Sequence, residues 1–277
     1  MIKTIRALLG LNQEQLAKQL GVSQVTVNRW ENQKSKPSAM AQKQLYDLAV
    51  TNHLELDQYI VKSVTSDHVD VLYHASRTGI TGQLQPISRR RCDFGRGFYM
   101  GTDPMQPLTL VCNEKKPVFY TMKINMEGLE VLDINVGLEW AMMIAYYRGY
   151  MDAVKGSNIY NKYSHMADGY DIITGYIAND RMYQVLTDFF EKRITDTALV
   201  ESLSALNLGK QYVAITQKAC DQIEIINSKP LETLELMLLR DKSVIRRKEG
   251  ISLAEEIVMT HRRDGKFFDE ILNEDII

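Results

Sequence analysis

Gly21 stands between two short amphipathic segments, and this arrangement constrains the fold of the first fifty residues more than any other feature. The segment before it, Leu11–Leu20, has an apolar face and starts next to Asn12, a residue type that caps helix N-termini. Glycine ends a helix without Cβ strain because it readily adopts the left-handed conformation. The segment after it, Gln24–Glu31, follows Ser23, a second capping residue. The pattern predicts two helices joined by a tight turn.

This unit, extended to Ser38, resembles the helix-turn-helix of the Cro/repressor (XRE) type. The resemblance implies DNA as a partner, with the second helix in the major groove and a homodimer that reads two half-sites. The residues it places against base edges are Gln24, Val25 and Arg29. Those it places against phosphates are Gln13, Asn32, Lys34 and Lys36. The alternative is a helix-turn-helix kept only for protein contacts.

Charge is distributed unevenly along the chain. Residues 1–50 contain seven Lys and Arg against three Asp and Glu, a net charge of +4. The whole chain carries −2, so the remaining residues carry −6. This asymmetry favours a small module that faces nucleic acid, joined to a body with a different function.

Composition limits the class of protein. The chain is 45% hydrophobic and 25% charged, and it has no apolar run of roughly 18 residues that could span a membrane. Its three cysteines lack CxxC spacing, and its five histidines are dispersed. The first residues are too polar for a signal peptide. We therefore expect a cytoplasmic protein without a metal site and without membrane contact.

Two short segments about twenty residues apart each place a polar ring on an apolar, strand-like stretch. The first is Tyr73–Arg77, which contains His74, and the second is Asp93–Met100, which contains Tyr99. Glycines in the second segment let a backbone approach a ligand closely. A His and a Tyr on neighbouring strands suit the binding of a flat, amide-bearing ring such as nicotinamide.

These two segments resemble the ADP-ribosyltransferase fold, in its His–Tyr–Glu, poly(ADP-ribose)-polymerase-like branch. The resemblance implies NAD as the substrate. His74 then binds the adenine-side ribose, the backbone of Ala75 holds the nicotinamide amide, and Tyr99 stacks on nicotinamide. Further contacts with NAD are assigned to Ser76, Arg91, Gly97 and Phe98. A solvated loop is the alternative for the basic segment that contains Arg91.

The third element of that family is a Glu that opens a late strand, and here Gln211 takes its place. Gln211 can accept a hydrogen bond from the ribose but carries no charge. The charge-assisted hydrogen bond that a Glu would make, which contributes roughly 1.5–3 kcal/mol, is therefore lost. We expect this change to weaken catalysis without preventing it, and to leave single transfer rather than chain elongation.

A second resemblance is to an uncharacterised bacterial family of the same fold. Its Asp-Phe-Gly-x-Gly-Phe-Tyr motif begins at Asp93, and its Tyr-Asp-x-x-x-Gly-x-x-Ala-x-Asp motif runs from Tyr170 to Asp180. The two acidic residues that flank this strand, Asp171 and Asp180, are either site carboxylates or strand-end caps.

Hydrophobic periodicity predicts an α+β chain: an all-α helix-turn-helix bundle, then a mixed α+β domain with a split β-sheet, then C-terminal helices. The predicted domains are 1–50, a connecting helix 51–68, 69–228, and a C-terminal appendage 229–277. Predicted strands are 69–75, 96–101, 117–125, 129–134, 170–177, 211–216 and 222–226. Predicted helices of the second half are 137–150, 180–192, 231–240 and 251–272, the last either continuous or interrupted at Gly265.

The sequence therefore predicts a DNA-binding protein fused to a mono-ADP-ribosyltransferase-like domain that binds and cleaves NAD. The acceptor of ADP-ribose is not indicated, and the architecture suits a self-regulating toxin or a defence effector. The rival hypothesis is a transcriptional regulator whose second domain is an inactive sensor of NAD or ADP-ribose. A third is a DNA-binding protein whose body serves oligomerisation. The first predicts that His74, Tyr99 and Gln211 lie on adjacent strands, point to one face of the sheet and meet at one cleft.

Overall fold

The chain begins with a helical bundle. The computed structural model describes residues 1–65, 70–177, 180–204, 209–260 and 264–274. The helices of the first part are α1 Ile2–Leu8, α2 Gln13–Leu20, α3 Gln24–Glu31, α4 Ala39–Thr51 and α5 Asp57–Val64. The predicted connecting helix is observed as α5, which begins at Asp57 because Thr51 still belongs to α4. Residues 66–68 of the predicted helix lie outside the described part.

Local interactions of the predicted kind set the ends of α2 and α3. The Asn12 side chain accepts a hydrogen bond from the backbone N–H of Gln15, and the Gln15 side chain accepts one from the Asn12 N–H, which is a capping box. Gly21 ends α2 in the left-handed conformation with φ 65°. Ser23 caps α3 by accepting from the Thr26 N–H. The predicted helix-turn-helix is confirmed.

The second part is built on a seven-stranded mixed sheet. Its strands are β1 Leu72–Ser76, β2 Phe98–Gly101, β3 Val118–Ile124, β4 Val131–Asp133, β5 Ile172–Tyr176, β6 Lys210–Ala214 and β7 Ile223–Pro230. Their order across the sheet is β4-β5-β6-β2-β1-β3-β7. Only β4 and β5 pair in parallel among these strands. The predicted mixed α+β class is confirmed.

Helices cover this sheet. They are α6 Met105–Leu110, α7 Leu138–Arg148, α8 Asn158–Ser164, α9 Asp180–Phe190, α10 Asp196–Ser204, α11 Gln217–Cys220, α12 Thr233–Thr260 and α13 Phe268–Asn273. Residues 140–145 of α7 are all buried, so this helix lies inside the core rather than on its surface. Its lack of a polar face reflects that position.

The C-terminal region differs from the prediction. Two helices, 231–240 and 251–272, were expected, whereas α12 joins the first to the start of the second and runs unbroken through residue 260. The alternative of a break at Gly265 agrees with the structure, because Gly265 has φ 88° and lies between α12 and α13. Leu234 of α12 packs in the core of the helical bundle, and Leu239 packs in a core beneath the sheet. The Tyr46 hydroxyl donates a hydrogen bond to Asp241 over 2.6 Å. Helix α12 therefore packs against both parts of the chain. This packing offsets the roughly 1 kcal/mol by which the glycine in its interior destabilises a helix.

The sheet opens between β1 and β2. These two strands share one register pair, Tyr73 with Gly101, whereas β1 and β3 share five pairs and β2 and β6 share four. Ala75 has a register partner on β3, Phe119, but none on β2. The gap exposes strand edges in the middle of the sheet, where backbone groups are available to a ligand.

Asp171 is a strand-end cap. Its carboxylate accepts hydrogen bonds from the Glu130 N–H and the Thr216 hydroxyl, and it pairs with Lys218 at 2.7 Å. Lys218 and these hydrogen bonds lower the pKa of Asp171 to about 2. Of the two interpretations of this residue, the structural one holds. Nothing is described for the side chain of Asp180.

Gly97 provides a test of the packing around β2. A Cβ at this position lies 2.4 Å from Cγ1 of Val213 and 3.0 Å from the carbonyl oxygen of Ala214. We expect Gly97→Ala to lower the free energy of unfolding by about 1–3 kcal/mol through overpacking. Urea denaturation measures the change.

The control is the double-mutant cycle with Val213→Ala. Because the closest atom belongs to the Val213 side chain, the Gly97→Ala penalty should shrink in the Val213→Ala background. An equal penalty in both backgrounds contradicts the packing explanation.

Candidate functional site

A cleft of about 1140 Å³ lies at the opening between β1 and β2. Its walls include His74, Ala75 and Ser76 from β1, Tyr99 and Met100 from β2, and Gln211 from β6. These strands are neighbours in the order β6-β2-β1. The three residues predicted to act together thus lie on adjacent strands and line one cleft, although nearly 140 positions separate the first from the last.

The prediction that the three side chains share one face of the sheet is wrong. Gly101 pairs with Tyr73 and with Gln211, so Tyr99 and Gln211 belong to one face of the sheet and His74 to the other. In a continuous sheet, opposite faces would keep these side chains apart. Here the strands diverge next to His74, and its ring reaches the Tyr99 backbone across the gap. The opening in the sheet is what allows the three residues to line one cleft.

The imidazole of His74 is held in one tautomer. Its Nδ1 lies 2.7 Å from the carbonyl oxygen of Tyr99, which can only accept, so Nδ1 carries the proton. The ring stacks on Phe98 with centroids 4.6 Å apart. Burial lowers the pKa of His74. A neutral ring protonated at Nδ1 leaves Nε2 as an acceptor for a ligand hydroxyl.

Tyr99 offers its ring rather than its hydroxyl. The hydroxyl donates to the Gly95 carbonyl over 2.7 Å and accepts from the Phe94 N–H over 3.0 Å. Burial, and secondarily the charge of Asp93, raise the pKa of Tyr99. The hydroxyl is therefore committed to the loop before β2, and stacking is the contribution that Tyr99 can make to a ligand.

Gln211 lies at the buried floor of the cleft, with 5% of its surface exposed. Its Nε2 donates to the Tyr176 carbonyl over 2.9 Å. Its cross-strand partners are both glycines, Gly101 and Gly175, and Phe94 fills the space next to Gly175. One N–H of the side-chain amide is engaged by the protein, and Oε1 is the atom with which Gln211 can accept a hydrogen bond from a ligand.

Cations dominate the cleft. Among the described residues, its lining includes Arg77, Arg89, Arg91 and Arg148, against one carboxylate, Asp93. Arg148 is fixed by Asp93, whose Oδ1 lies 2.5 Å from one guanidinium nitrogen and 3.0 Å from Nε. The Arg148 guanidinium also lies over the Tyr183 ring, 5.3 Å from its centroid. An anionic group such as a pyrophosphate suits this wall.

Sequence reasoning missed part of this wall. Tyr150 and Tyr183 line the cleft from the end of α7 and from α9. Both side chains are partly exposed, Tyr183 to 55%. They come from segments about 50 and 85 residues beyond β2, and no motif connects them with His74 or Tyr99. The clearest available signal was Arg148, an Arg at the end of an otherwise apolar helix.

Two predicted ligand contacts need correction. Gly97 and Phe98 do not line the cleft. Gly97 lacks a side chain because Val213 and Ala214 occupy that space, and Phe98 is buried beneath the His74 ring. Both residues support the site from behind. Arg91 does line the cleft, as predicted, and its guanidinium lies 3.6 Å from Asp152.

Ser76 also lines the cleft, but its hydroxyl hydrogen is engaged. Its Oγ donates to the Gly79 carbonyl over 3.0 Å. The hydroxyl oxygen keeps its capacity to accept, so the predicted contact with a ligand amide or hydroxyl is limited to that role.

The predicted DNA-binding residues divide into two groups. The exposed ones are Gln24, Val25, Arg29, Asn32, Lys34 and Lys36. Val25 is exposed to 61%, so its side chain is accessible to a partner. Gln13 is half-buried and is held within the unit, donating to Glu31 over 2.7 Å and accepting from Asn28 over 3.3 Å. Asn32 likewise donates to the Asn28 carbonyl over 2.9 Å.

The fold and its two sites define a class of protein: a helix-turn-helix unit joined to an α+β domain with a cationic cleft. Residues 2–41 match the helix-turn-helix family, which favours DNA as the partner of the N-terminal unit. Residues 71–225 match the family described as protein of unknown function (DUF3990). This match covers more than half of the 277 residues, and the chain belongs to that family. No curated protein and no solved structure matches the chain.

Two further observations concern the described residues. None of their helices is both long enough and apolar enough to cross a membrane. They also contain no group of three or more His, Cys, Asp or Glu that could hold a metal ion.

The state of His74 can be tested directly. We expect the pKa of His74 to lie below its ordinary value of 6.5, with the proton of the neutral ring on Nδ1. A ¹⁵N-resolved NMR titration measures both, and His74→Gln assigns the signal. Because the folded-state pKa is lowered, the stability contributed by the neutral ring is present above about pH 6.5 and is lost as the pH falls through the folded-state value. A pKa above 6.5 contradicts the burial of the ring, because burial lowers the pKa of His74 whereas the hydrogen bond to the Tyr99 carbonyl raises it.

Proposed function

We propose that this protein binds DNA through its helix-turn-helix and that its second domain binds NAD in the β1–β2 cleft and transfers ADP-ribose to an acceptor. The observation that carries the proposal is the joint position of His74, Tyr99 and Gln211 on three neighbouring strands that line one opening in the sheet. The identity of the substrate, NAD, comes from the resemblance of the surrounding segments to the ADP-ribosyltransferase fold.

Each wall of the cleft suits one part of NAD. A ribose hydroxyl can donate to Nε2 of His74, since Nδ1 is engaged by the Tyr99 carbonyl. The edge of β1 at Ala75, which has no strand partner on β2, suits the nicotinamide amide. The Tyr99 ring supplies a stacking surface, and Arg91 and Arg148 suit the pyrophosphate.

The transfer step breaks the bond between nicotinamide nitrogen and C1′ of the ribose. The bond electrons leave with nicotinamide, which departs neutral, and the acceptor forms the new bond to C1′ and releases its proton to solvent. Positive charge develops on the ribose, and Oε1 of Gln211 can accept from its hydroxyl. A neutral amide stabilises this charge less than a carboxylate does. We therefore propose slow transfer of a single ADP-ribose unit.

The second candidate function is an NAD or ADP-ribose sensor without catalysis. It is favoured by the chemistry of the cleft's acidic groups: among the described residues of its lining the one carboxylate, Asp93, is engaged by Arg148, and Gln211 is uncharged. Both functions require the dinucleotide to bind. They differ in whether nicotinamide is released.

The proposal predicts nicotinamide release by the full-length chain. Incubation with NAD, followed by chromatography, should show release by wild type and its loss in His74→Ala. Gln211→Glu restores a negative charge beside the ribose and should raise the rate about tenfold, which corresponds to roughly 1.4 kcal/mol of barrier. Gln211→Ala should lower turnover more than NAD affinity.

The two candidates give different results in this experiment. NAD binding by calorimetry without nicotinamide release from wild type or Gln211→Glu supports the sensor and removes the transferase. Absence of NAD binding to the wild-type protein removes both. Equal rates for wild type, Gln211→Ala and Gln211→Glu contradict the role of Gln211.

A further inference from the structure

A groove separates the helical bundle from the sheet domain on the side of the α3–α4 loop. It consists of two hollows of about 720 and 540 Å³. Both are lined by Lys36 and Pro37 of the loop that follows α3, and both extend to residues 230–232 at the end of β7. These shared walls make the hollows parts of one groove, which we call the interdomain groove. It is separate from the β1–β2 cleft, although Thr78 lines both.

Lysines from five segments of the chain converge on the interdomain groove. They are Lys3 of α1, Lys36 of the α3–α4 loop, Lys62 of α5, and Lys115 and Lys116 of the α6–β3 loop, with Lys229 of β7 beside them. The acidic residues of its lining are Glu31, Glu232 and Glu235. The lysines therefore outnumber the carboxylates by six to three.

The carboxylates are already paired. Glu31 binds Arg6 at 2.6 Å, and Glu235 binds Lys229 at 2.7 Å. Glu232 lies 3.8 Å from Lys36, and both side chains are more than half exposed, so this pair is weak. Four lysines, Lys3, Lys62, Lys115 and Lys116, are exposed and form no ion pair with any described residue. The groove keeps a surplus of positive charge.

This surplus is local. Residues 51–277 carry a net charge of −6, yet three of the four unpaired lysines belong to them and face the helix-turn-helix unit. If the charges of residues 51–277 were evenly distributed, three unpaired lysines would not be expected together on this surface. The groove thus extends the positive surface of the N-terminal unit, which carries +4, onto the second domain.

We propose that the interdomain groove is a second DNA-contacting surface, in which the lysines of the sheet domain bind the phosphate backbone of the duplex held by the helix-turn-helix. The position of Lys36 and Pro37 carries this assignment. The loop that contains them directly follows α3, the helix that reads bases in this type of module. Phosphates bound by this loop therefore lie at the mouth of the groove, beside Lys115 and Lys116.

The proposal makes the second domain part of the DNA-binding surface whether or not the β1–β2 cleft has an enzymatic activity. It also gives that domain a fixed position on the duplex. Base specificity remains with α3, because lysine–phosphate contacts position a protein without reading sequence.

The salt dependence of DNA binding tests the proposal. The full-length protein is titrated into a fluorescent 30-base-pair duplex of random sequence over a series of KCl concentrations. Each phosphate contact contributes roughly 0.9 to the slope of log K against log salt. Lys115→Ala combined with Lys116→Ala should make the slope shallower by about 1–2. The matched control, Lys155→Ala combined with Lys248→Ala, removes two exposed lysines outside the groove and should leave the slope unchanged.

Three results overturn the proposal: a wild-type slope in the Lys115/Lys116 variant, an equal loss in the control variant, or no salt-dependent DNA binding by the wild-type chain. Thermal unfolding of both variants verifies that the fold is intact. The outcome does not depend on NAD, so failure here and failure of the proposed transferase activity are distinguishable.

Discussion

The hydrogen bond between Nδ1 of His74 and the carbonyl oxygen of Tyr99 spans the gap in the sheet, and the geometry of the cleft depends on it. Beyond the Tyr73–Gly101 pair, β1 and β2 are not held together by a strand ladder. The imidazole of His74 connects the two strands here through its hydrogen bond to Tyr99, and it occupies the gap between them. The same bond fixes the His74 tautomer, leaves Nε2 to accept, and places the ring on Phe98. One side chain thus determines both the shape of the opening and its hydrogen-bonding capacity.

Helix α12 connects this cleft to the DNA-binding unit. Near its start it packs into the helical bundle, and Asp241 accepts a hydrogen bond from Tyr46 of α4. Further along, Arg246 lies 3.5 Å from Asp103, which follows β2 and accepts a hydrogen bond from the Met105 N–H at the start of α6. The helix-turn-helix and the strand that carries Tyr99 are therefore linked through one helix. This continuity gives a physical basis for coupling between DNA binding and the state of the cleft.

Structure that depends on neighbouring residues was predicted well from the sequence. Contacts between residues that are far apart in the sequence were not predicted. The caps at Asn12 and Ser23 and the turn at Gly21 depend on neighbouring residues, so the helix-turn-helix was predictable in detail. Period-2 alternation located β1, β2 and β6, and with them His74, Tyr99 and Gln211. The continuity of α12 was missed because its stability comes from packing against both parts of the chain, and the approach of Tyr183 to Arg148 was missed because only the fold brings them together. Gly97 was predicted to contact the ligand, whereas the space that a Cβ at this position would occupy is filled by Val213.

The central claim is that the opening between β1 and β2 binds the nicotinamide end of NAD. A crystal structure of the protein with a carbocyclic NAD analogue, which cannot lose nicotinamide, tests it most directly. The account predicts the nicotinamide ring against the face of Tyr99, its amide on the backbone of Ala75, and a ribose hydroxyl within hydrogen-bond distance of Nε2 of His74. Analogue bound elsewhere on the protein, with His74 and Tyr99 in contact only with each other, would contradict it.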